Sequence, residues 1–423
     1  MNEAGDAKNQ PAPLEFHAVK THAAVHRYMS EWTRMMKERV SRGTPLVVAD
    51  IMTPHEILEA MDIPFILRAF GNNVFEKWLY PGLFAGRENV SGPEILEQDN
   101  YNVLNRCRYC SKGWENLWKL PQVSALILDE GACTGITKAT EHWVSQYDAP
   151  VFRLAATATA PFYARYPRWW ENMDNNWNSI IEPQRLDYRV EELKALIAFL
   201  ENTTGKTLCQ NKLIEVMELV NEQQMYFKKA RDLIASTVPC PAGILDQIHI
   251  YRTQWHRGTP EARDLAKLFY EELKEKAAKG EGVSKNEQIR LQWVKQQYTW
   301  FGEPYLYQHF SQKYGAVFVC SIYISVGADG YARNCLDDPL RALASRHVFL
   351  GLYAGPEWEI NEARRHNVKG AVMLEGSCPS PHGVRRMTKM AYKKAGIPIL
   401  LIRPPLSEEK VIAEISSFIE TLL

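Results

Sequence analysis

Val123–Trp143 reads VSALILDEGACTGITKATEHW, and this stretch decides the fold. Val123–Asp129 is a short apolar run of the kind that forms a strand buried on both faces. Gly131 permits a tight turn, Cys133 follows it, and Ile136–Gln146 is compatible with a helix. A strand-like run, Pro150–Ala155, comes next. Strand, turn, helix and strand with short connections describe a parallel sheet rather than hairpins.

Working outward toward the N-terminus, Pro45–Ile51 (PLVVADI) is a β-branched strand, and Pro54–Met61 opens a helix with Thr53 as its N-cap. Phe16–Arg42 is amphipathic and helical, and Gly43-Thr44-Pro45 stops it. Toward the C-terminus, Val190–Lys279 is helical in pattern, broken near Pro239–Pro241 and Gly258–Pro260. Glu287–Trp300 (EQIRLQWVKQQYTW) continues it at helical spacing. The alternation then resumes. Ala316–Ile324, Lys369–Leu374 and Ile397–Ile402 are expected as strands, and Pro339–Ala344, Val384–Ala395 and Ser407–Leu423 as helices. The expected fold class is α/β, with two doubly wound parallel-sheet lobes joined by a helical segment. Its expected divisions are a disordered 1–15, an N-terminal helix and first lobe over 16–185, a helical segment over 186–312 and a second lobe over 313–423.

The 423 residues carry 50 Lys+Arg against 50 Asp+Glu. That balance argues against a nucleic-acid partner, which would select a basic surplus. No run approaches the roughly 18 apolar residues of a membrane span. Met1–Gln10 is polar and contains acids, unlike a secretory or transit peptide. A cytoplasmic protein is therefore expected. Eight scattered cysteines do not form a disulfide scaffold.

Two of those cysteines occupy matching places. Cys133 follows ALILDEGA and Cys378 follows AVMLEGS, each just past a strand and before a helix. The carboxyl ends of parallel strands are where such folds bind ligands, and a helix N-terminus favours a thiolate there. Gly131 and Gly376 allow the turns. The alternative is a pair of buried loop cysteines. Cys107-Arg108-Tyr109-Cys110 is a third element, compatible with redox, zinc or iron–sulfur chemistry, or with two unligated thiols. No second C-x-x-C or short-spaced histidine pair completes a zinc site. Three thiolates from separated loops would suit a [4Fe–4S] cluster with one iron open to substrate.

Other features carry less. Thr204-Gly205-Lys206-Thr207 imitates the end of a P-loop but lacks the earlier glycine and is expected as a turn between helices. There is no G-x-G-x-x-G and no G-x-S-x-G. Lys228, Lys229 and Arg231 read as a solvated helix face, or as partners for the phosphates of a ligand such as coenzyme A. Phe162, Tyr163, Tyr166, Trp169, Trp170 and Trp177 read as core packing, or as the wall of a pocket for a flat apolar substrate.

Taken together, Val123–Trp143, Val372–Ile402 (VMLEGSCPSPHGVRRMTKMAYKKAGIPILLI) and Leu104–Trp114 (LNRCRYCSKGW) resemble the cysteine segments of one family. It is the family of 2-hydroxyacyl-CoA dehydratases and ATP-dependent benzoyl-CoA reductases. Asp337–Arg346 (DDPLRALASR) and His256–Ala262 (HRGTPEA) add weaker support. The resemblance implies a [4Fe–4S] cluster held by Cys133, Cys378 and either Cys107 or Cys110, with both of the latter if the cluster is fully cysteine-ligated. It implies a homologous cluster-bearing partner subunit, an ATP-hydrolysing iron–sulfur activator that delivers a low-potential electron, and an acyl-CoA substrate. His382 and Glu375, flanking Cys378, are weak candidates for proton transfer. The aromatic stretch and HRGTP favour reduction of the ring of benzoyl-CoA or a similar thioester. The alternative is an (R)-2-hydroxyacyl-CoA dehydratase. Further alternatives are a double-cubane electron-transfer protein, for which this chain is short of cysteines, and a scaffold that has lost its cluster.

Overall fold

In a computed structural model of the chain, the structure describes residues 19–50, 53–68, 79–85, 120, 123–129, 144, 148–155, 168–294, 304–320, 323–334, 337–350, 356–374, 382–403 and 407–423. The first lobe is built from α1 (Thr21–Ser41), β1 (Val47–Asp50), α2 (Glu56–Ala60), β2 (Phe65–Arg68), β3 (Ala125–Asp129) and β4 (Val151–Leu154). All pairings are parallel and the spatial order is β2-β1-β3-β4. Every residue of β1 and β3 is buried, which is why both read as unbroken apolar runs rather than as alternation. α1 buries Val25, Met29, Thr33 and Met36, one helical stripe.

A helical segment follows with α3 (Met173–Ile180), α4 (Pro183–Thr204), α5 (Gln210–Ser236), α6 (Ile244–Tyr251), a 3-10 turn (Arg252–His256) and α7 (Pro260–Lys279). Its punctuation follows local chemistry. Pro183 and Pro260 stand in the first turns of α4 and α7, where a missing N–H costs nothing. The Thr259 hydroxyl accepts from Ala262 N at 3.2 Å to cap α7. Gly205 and Gly280, both left-handed, close α4 and α7. Thr204–Thr207 is thus the helix-to-helix turn that its residues indicated.

The second lobe contains β5 (Ile289–Trp293), α8 (Pro304–Tyr314), β6 (Ala316–Cys320), α9 (Tyr323–Gly330), α10 (Pro339–Leu350), α11 (Pro356–Arg365), β7 (Gly370–Leu374), α12 (His382–Lys394), β8 (Ile399–Ile402) and α13 (Glu408–Leu422). Its sheet is also parallel, in the order β6-β5-β7-β8. The two sheets therefore share one winding, as expected for two parallel-sheet lobes.

Three local expectations are corrected. Glu287–Trp300 does not extend the helices, because Ile289–Trp293 is the strand paired with both β6 and β7. Its polar positions are satisfied inside the protein. Arg290 donates to the carbonyls of Ile234, Ala235 and Thr237 at the end of α5, and Gln292 donates to Glu359 O at 3.0 Å. The second sheet thus draws its first strand from the span expected as helical. Tyr323 and Ile324 start α9 instead of extending β6. Thr53 does not cap α2; His55 holds that position, and the Thr53 hydroxyl makes no hydrogen bond. No helix among the described residues is long and apolar enough to cross a membrane.

Candidate functional site

The strand order places a switch point in each sheet, between β1 and β3 in the first and between β5 and β7 in the second. A crevice forms at the carboxyl ends of such strands because the connections leave in opposite directions. In the first sheet both central strands end in acids, Asp50 and Asp129. The Asp129 N–H donates to the Asp50 carboxylate at 2.9 Å. His347 Nε2, from α10, lies 2.7 Å from Asp129 Oδ2. Beyond β4, Arg189 donates to Ala155 O at 3.0 Å and pairs with Glu192.

Immediately past β1 the chain reads Thr53-Pro54-His55-Glu56. Glu56 is fully buried and accepts from Arg257 at 2.6 and 3.0 Å and from Arg346 at 3.1 Å. Burial alone would raise its acid, but the two guanidiniums override that and hold the carboxyl well below the usual carboxylate range. Arg257 stacks 4.5 Å over the Tyr331 ring. Arg346 reaches Asn221 Oδ1 at 3.2 Å, and Asn221 in turn bonds Arg333 N and O at 2.8 Å. One ionic network thus ties α2 of the first lobe to α5, the His256–Thr259 joint and α10.

Beside this network lie polar groups without partners. Among the described residues, the Thr53 hydroxyl and both ring nitrogens of His55 find no hydrogen-bond partner, although both residues are 0% exposed. His256 Nε2 is also unpartnered, while its Nδ1 lies 3.2 Å from the Tyr28 hydroxyl. Burial, reinforced by Arg257, holds the His55 imidazolium far below its ordinary value. Burial and then Arg252 push His256 down to about 3. Both imidazoles are therefore neutral, each one donor and one acceptor. Trp32 packs 4.4 Å from His256 and Phe65 stacks 5.4 Å from His55. Buried polar atoms of this kind are satisfied by ordered water or by a ligand, so the arrangement can receive an uncharged hydrogen-bonding group in an apolar wall.

Cys107, Cys110, Cys133, Glu375 and Cys378 lie outside the described residues. His382 opens α12, but its side chain is outside them too. What the structure adds is their register. Cys133 stands four positions past the last residue of β3, and Cys378 four positions past the last residue of β7. The two cysteines thus follow equivalent strands at the two switch points. Among the described cysteines, burial raises the Cys240 thiol to about 12 and the Cys320 thiol well above its ordinary value, so neither is a ready thiolate ligand. No group of three metal-ligating side chains is found among the described residues.

The basic trio is corrected. Lys228 and Lys229 are exposed, but Arg231 is buried and bidentate with Asp329 at 2.7 and 2.8 Å. Trp169 and Trp177 are core residues, which favours packing over a pocket wall for them; Phe162, Tyr163 and Tyr166 lie outside the described residues. Thr53 was read from the sequence only as a helix cap, and His55, Glu56, Asp129 and His347 were not singled out from it. The available signal was a polar residue directly after each apolar run, in LVVADIMTPHE and LILDEGA.

With this geometry in view, the comparisons with known proteins are informative. A family model described as 2-hydroxyglutaryl-CoA dehydratase, D-component, matches residues 50–422. The chain is 22% identical over 286 residues to the (R)-phenyllactyl-CoA dehydratase alpha subunit of Clostridium sporogenes, covering 66% of this chain and 65% of that one. It is 21% identical over 369 residues to the (R)-2-hydroxyisocaproyl-CoA dehydratase alpha subunit of Clostridioides difficile, covering 84% and 83%. The chain thus spans just under two thirds of the length of the first relative.

Proposed function

The chain belongs to the 2-hydroxyglutaryl-CoA dehydratase D-component family, and from that premise we propose that it is a subunit of an (R)-2-hydroxyacyl-CoA dehydratase. Both relatives named above are dehydratase subunits, which moves the reading from ring reduction to elimination of water. The observation that carries it is the group of buried polar atoms past β1, where the Thr53 hydroxyl and the His55 ring make no hydrogen bond among the described residues.

In this reading Cys133 and Cys378, with Cys107 or Cys110, hold a [4Fe–4S] cluster. The cysteine donor set and the matched four-residue spacing after β3 and β7 fit such a group. When bound, the cluster supplies one-electron chemistry at low potential to the acyl thioester. The chain's own residues then do the positioning. Thr53 and His55 offer hydrogen bonds to the hydroxyl and carbonyl of the substrate. Glu56, with both oxygens engaged, fixes the helix that presents them. The Phe65 and Trp32 rings keep water from the reacting end. A homologous cluster-bearing subunit and an ATP-hydrolysing iron–sulfur activator complete the system.

The test is anaerobic purification with the partner subunit, followed by iron, sulfide and EPR measurement and a screen of acyl-CoA substrates with the activator. About four irons per chain and conversion of an (R)-2-hydroxyacyl-CoA to the enoyl-CoA are expected. Iron near zero, or reduction of an aromatic acyl-CoA without any dehydration, overturns the reading.

A further inference from the structure

One pair at the carboxyl edge of the first sheet has no part in the binding described above. Asp129, the last residue of β3, is 9% exposed, and its Oδ2 lies 2.7 Å from His347 Nε2. His347 is 6% exposed and comes from α10, 218 residues away in sequence. Its second nitrogen, Nδ1, is buried and has no hydrogen-bond partner among the described residues. Among the described residues, the charges beside the pair include Asp50, whose carboxylate accepts from Asp129 N, and Arg189, whose main counter-ion is Glu192 with Asp129 as a weaker one.

A second buried histidine shows the contrast. His366 follows α11, at the amino end of β7, and its Nδ1 bonds the Glu362 carbonyl at 2.8 Å. It is tied to backbone away from the carboxyl edge of its sheet. His347 instead sits at the switch point, held from one side only. A carboxylate can only accept, so Asp129 keeps a proton on Nε2 and leaves the Nδ1 lone pair as the available acceptor. The same carboxylate stabilises the imidazolium once Nδ1 has taken a proton. An imidazole oriented by one carboxylate, with its other nitrogen lacking a hydrogen-bond partner among the described residues, has the arrangement that general acid–base work uses.

We propose that Asp129 and His347 form the proton-transfer dyad of this site, His347 Nδ1 exchanging a proton with an acyl-CoA bound at the first switch point. The proposal rests on the dehydratase reading. In that reaction the C–H bond at carbon 3 and the C–O bond at carbon 2 break, and the C2–C3 double bond forms. The proton passes from carbon 3 to Nδ1 and then to the departing hydroxyl, which leaves as water. The elimination is redox-neutral, so the dyad carries a proton alone and returns to its starting state. His347 is the catalytic residue and Asp129 the positioning one.

The experiment uses the holoenzyme with partner subunit and activator. It measures kcat, KM and the pH profile on an (R)-2-hydroxyacyl-CoA, together with acyl-CoA affinity and iron content. His347→Gln should lower kcat by about 10²- to 10⁴-fold, abolish the acid limb of the profile, and leave affinity and iron within about twofold. Asp129→Asn, which leaves the imidazole in place but unoriented, should lower kcat by less and change the same limb. If His347→Gln keeps half of the wild-type kcat with an unchanged profile, the dyad is overturned and the dehydratase reading stands. Loss of iron in parallel with kcat also overturns it, since the pair would then be structural. If His347→Gln does not fold, Asp129→Asn decides, and an unchanged profile overturns the proposal. A wild type that binds acyl-CoA but eliminates no water overturns the dehydratase reading, and the dyad with it.

Discussion

One strand order recurs in both sheets, yet β1 and β3 end in Asp50 and Asp129, whereas β5 and β7 end in Trp293 and Leu374. Past β1 lie a buried ion network and unpartnered polar atoms; at the end of β5, Trp293 stacks 5.1 Å from Phe318. The repeated winding follows from buried apolar runs, which the two lobes share. The chemistry of each crevice follows from the residues at the strand ends, which they do not share. A repeated fold therefore does not imply a repeated site.

The sharpest way to break this comparison is to remove the charge that the first edge is built on. Glu56→Gln leaves Arg257 and Arg346 buried without their anion and should cost about 3–5 kcal/mol, read as a fall in denaturation midpoint. The nearest counterpart beside the second sheet is Glu362→Gln. There Arg231 keeps its bidentate Asp329, and the expected cost is only about 1 kcal/mol. Equal losses would remove the asymmetry.

The apolar layers should behave alike. Leu126→Ala in β3 and Leu291→Ala in β5 both truncate fully buried side chains. Each should cost about 2–5 kcal/mol, measured by urea titration. A loss below about 1 kcal/mol at either position would mean that the two sheets are not equally packed.

Acid separates the regions by degree. Burial pushes His256 and His366 down to about 3, and His55 well below its ordinary value. As pH falls below about 6.5, the unfolded chain takes up a proton at each of these sites that the folded chain refuses, until near pH 3 for His256 and His366. Stability is thus lost as pH drops through that window, by up to about 2 kcal/mol per site at pH 5. His256→Gln and His366→Gln should each flatten the melting temperature against pH between 6 and 4.5; an unchanged slope would remove that histidine from the account.

The smallest expected effect on stability sharpens the first edge most. Thr53→Val deletes a hydroxyl with no partner and should change stability by no more than about 0.5 kcal/mol. It should still weaken binding of a 2-hydroxyacyl-CoA relative to free coenzyme A. Unchanged discrimination between the two would take Thr53 out of the site.

Much of the architecture was legible in advance. PLVVADI, VSALILD, KGAVML and IPILLI are apolar runs too short for helices and flanked by turn residues, and each became a strand of a parallel sheet. IRLQW escaped because Ile289, Trp293 and Trp300 also fall at helical spacing, and because Arg290 and Gln292 are polar residues buried in a sheet. Contacts with Glu287, the end of α5, α11 and Tyr392 of α12 make that burial tolerable. The matching positions of Cys133 and Cys378 were legible by analogy between the lobes, each four residues past the end of a strand, β3 and β7.

Sequence alone thus determined most of the strands and helices and their parallel α/β class, because propensity, burial pattern and turn chemistry act over a few neighbours; the strand order came from the structure. Sequence also put Cys133 and Cys378 a few residues past two runs that are strands, β3 and β7. Tertiary structure alone decided that Glu56 meets Arg257 and Arg346, 201 and 290 residues away, and that Asp129 meets His347 across 218. It also decided that Arg231 is a buried ion-pair partner rather than a solvated charge. The reason is that the role of a charged side chain depends on what neutralises it, and those partners arrive from distant segments that no local pattern encodes.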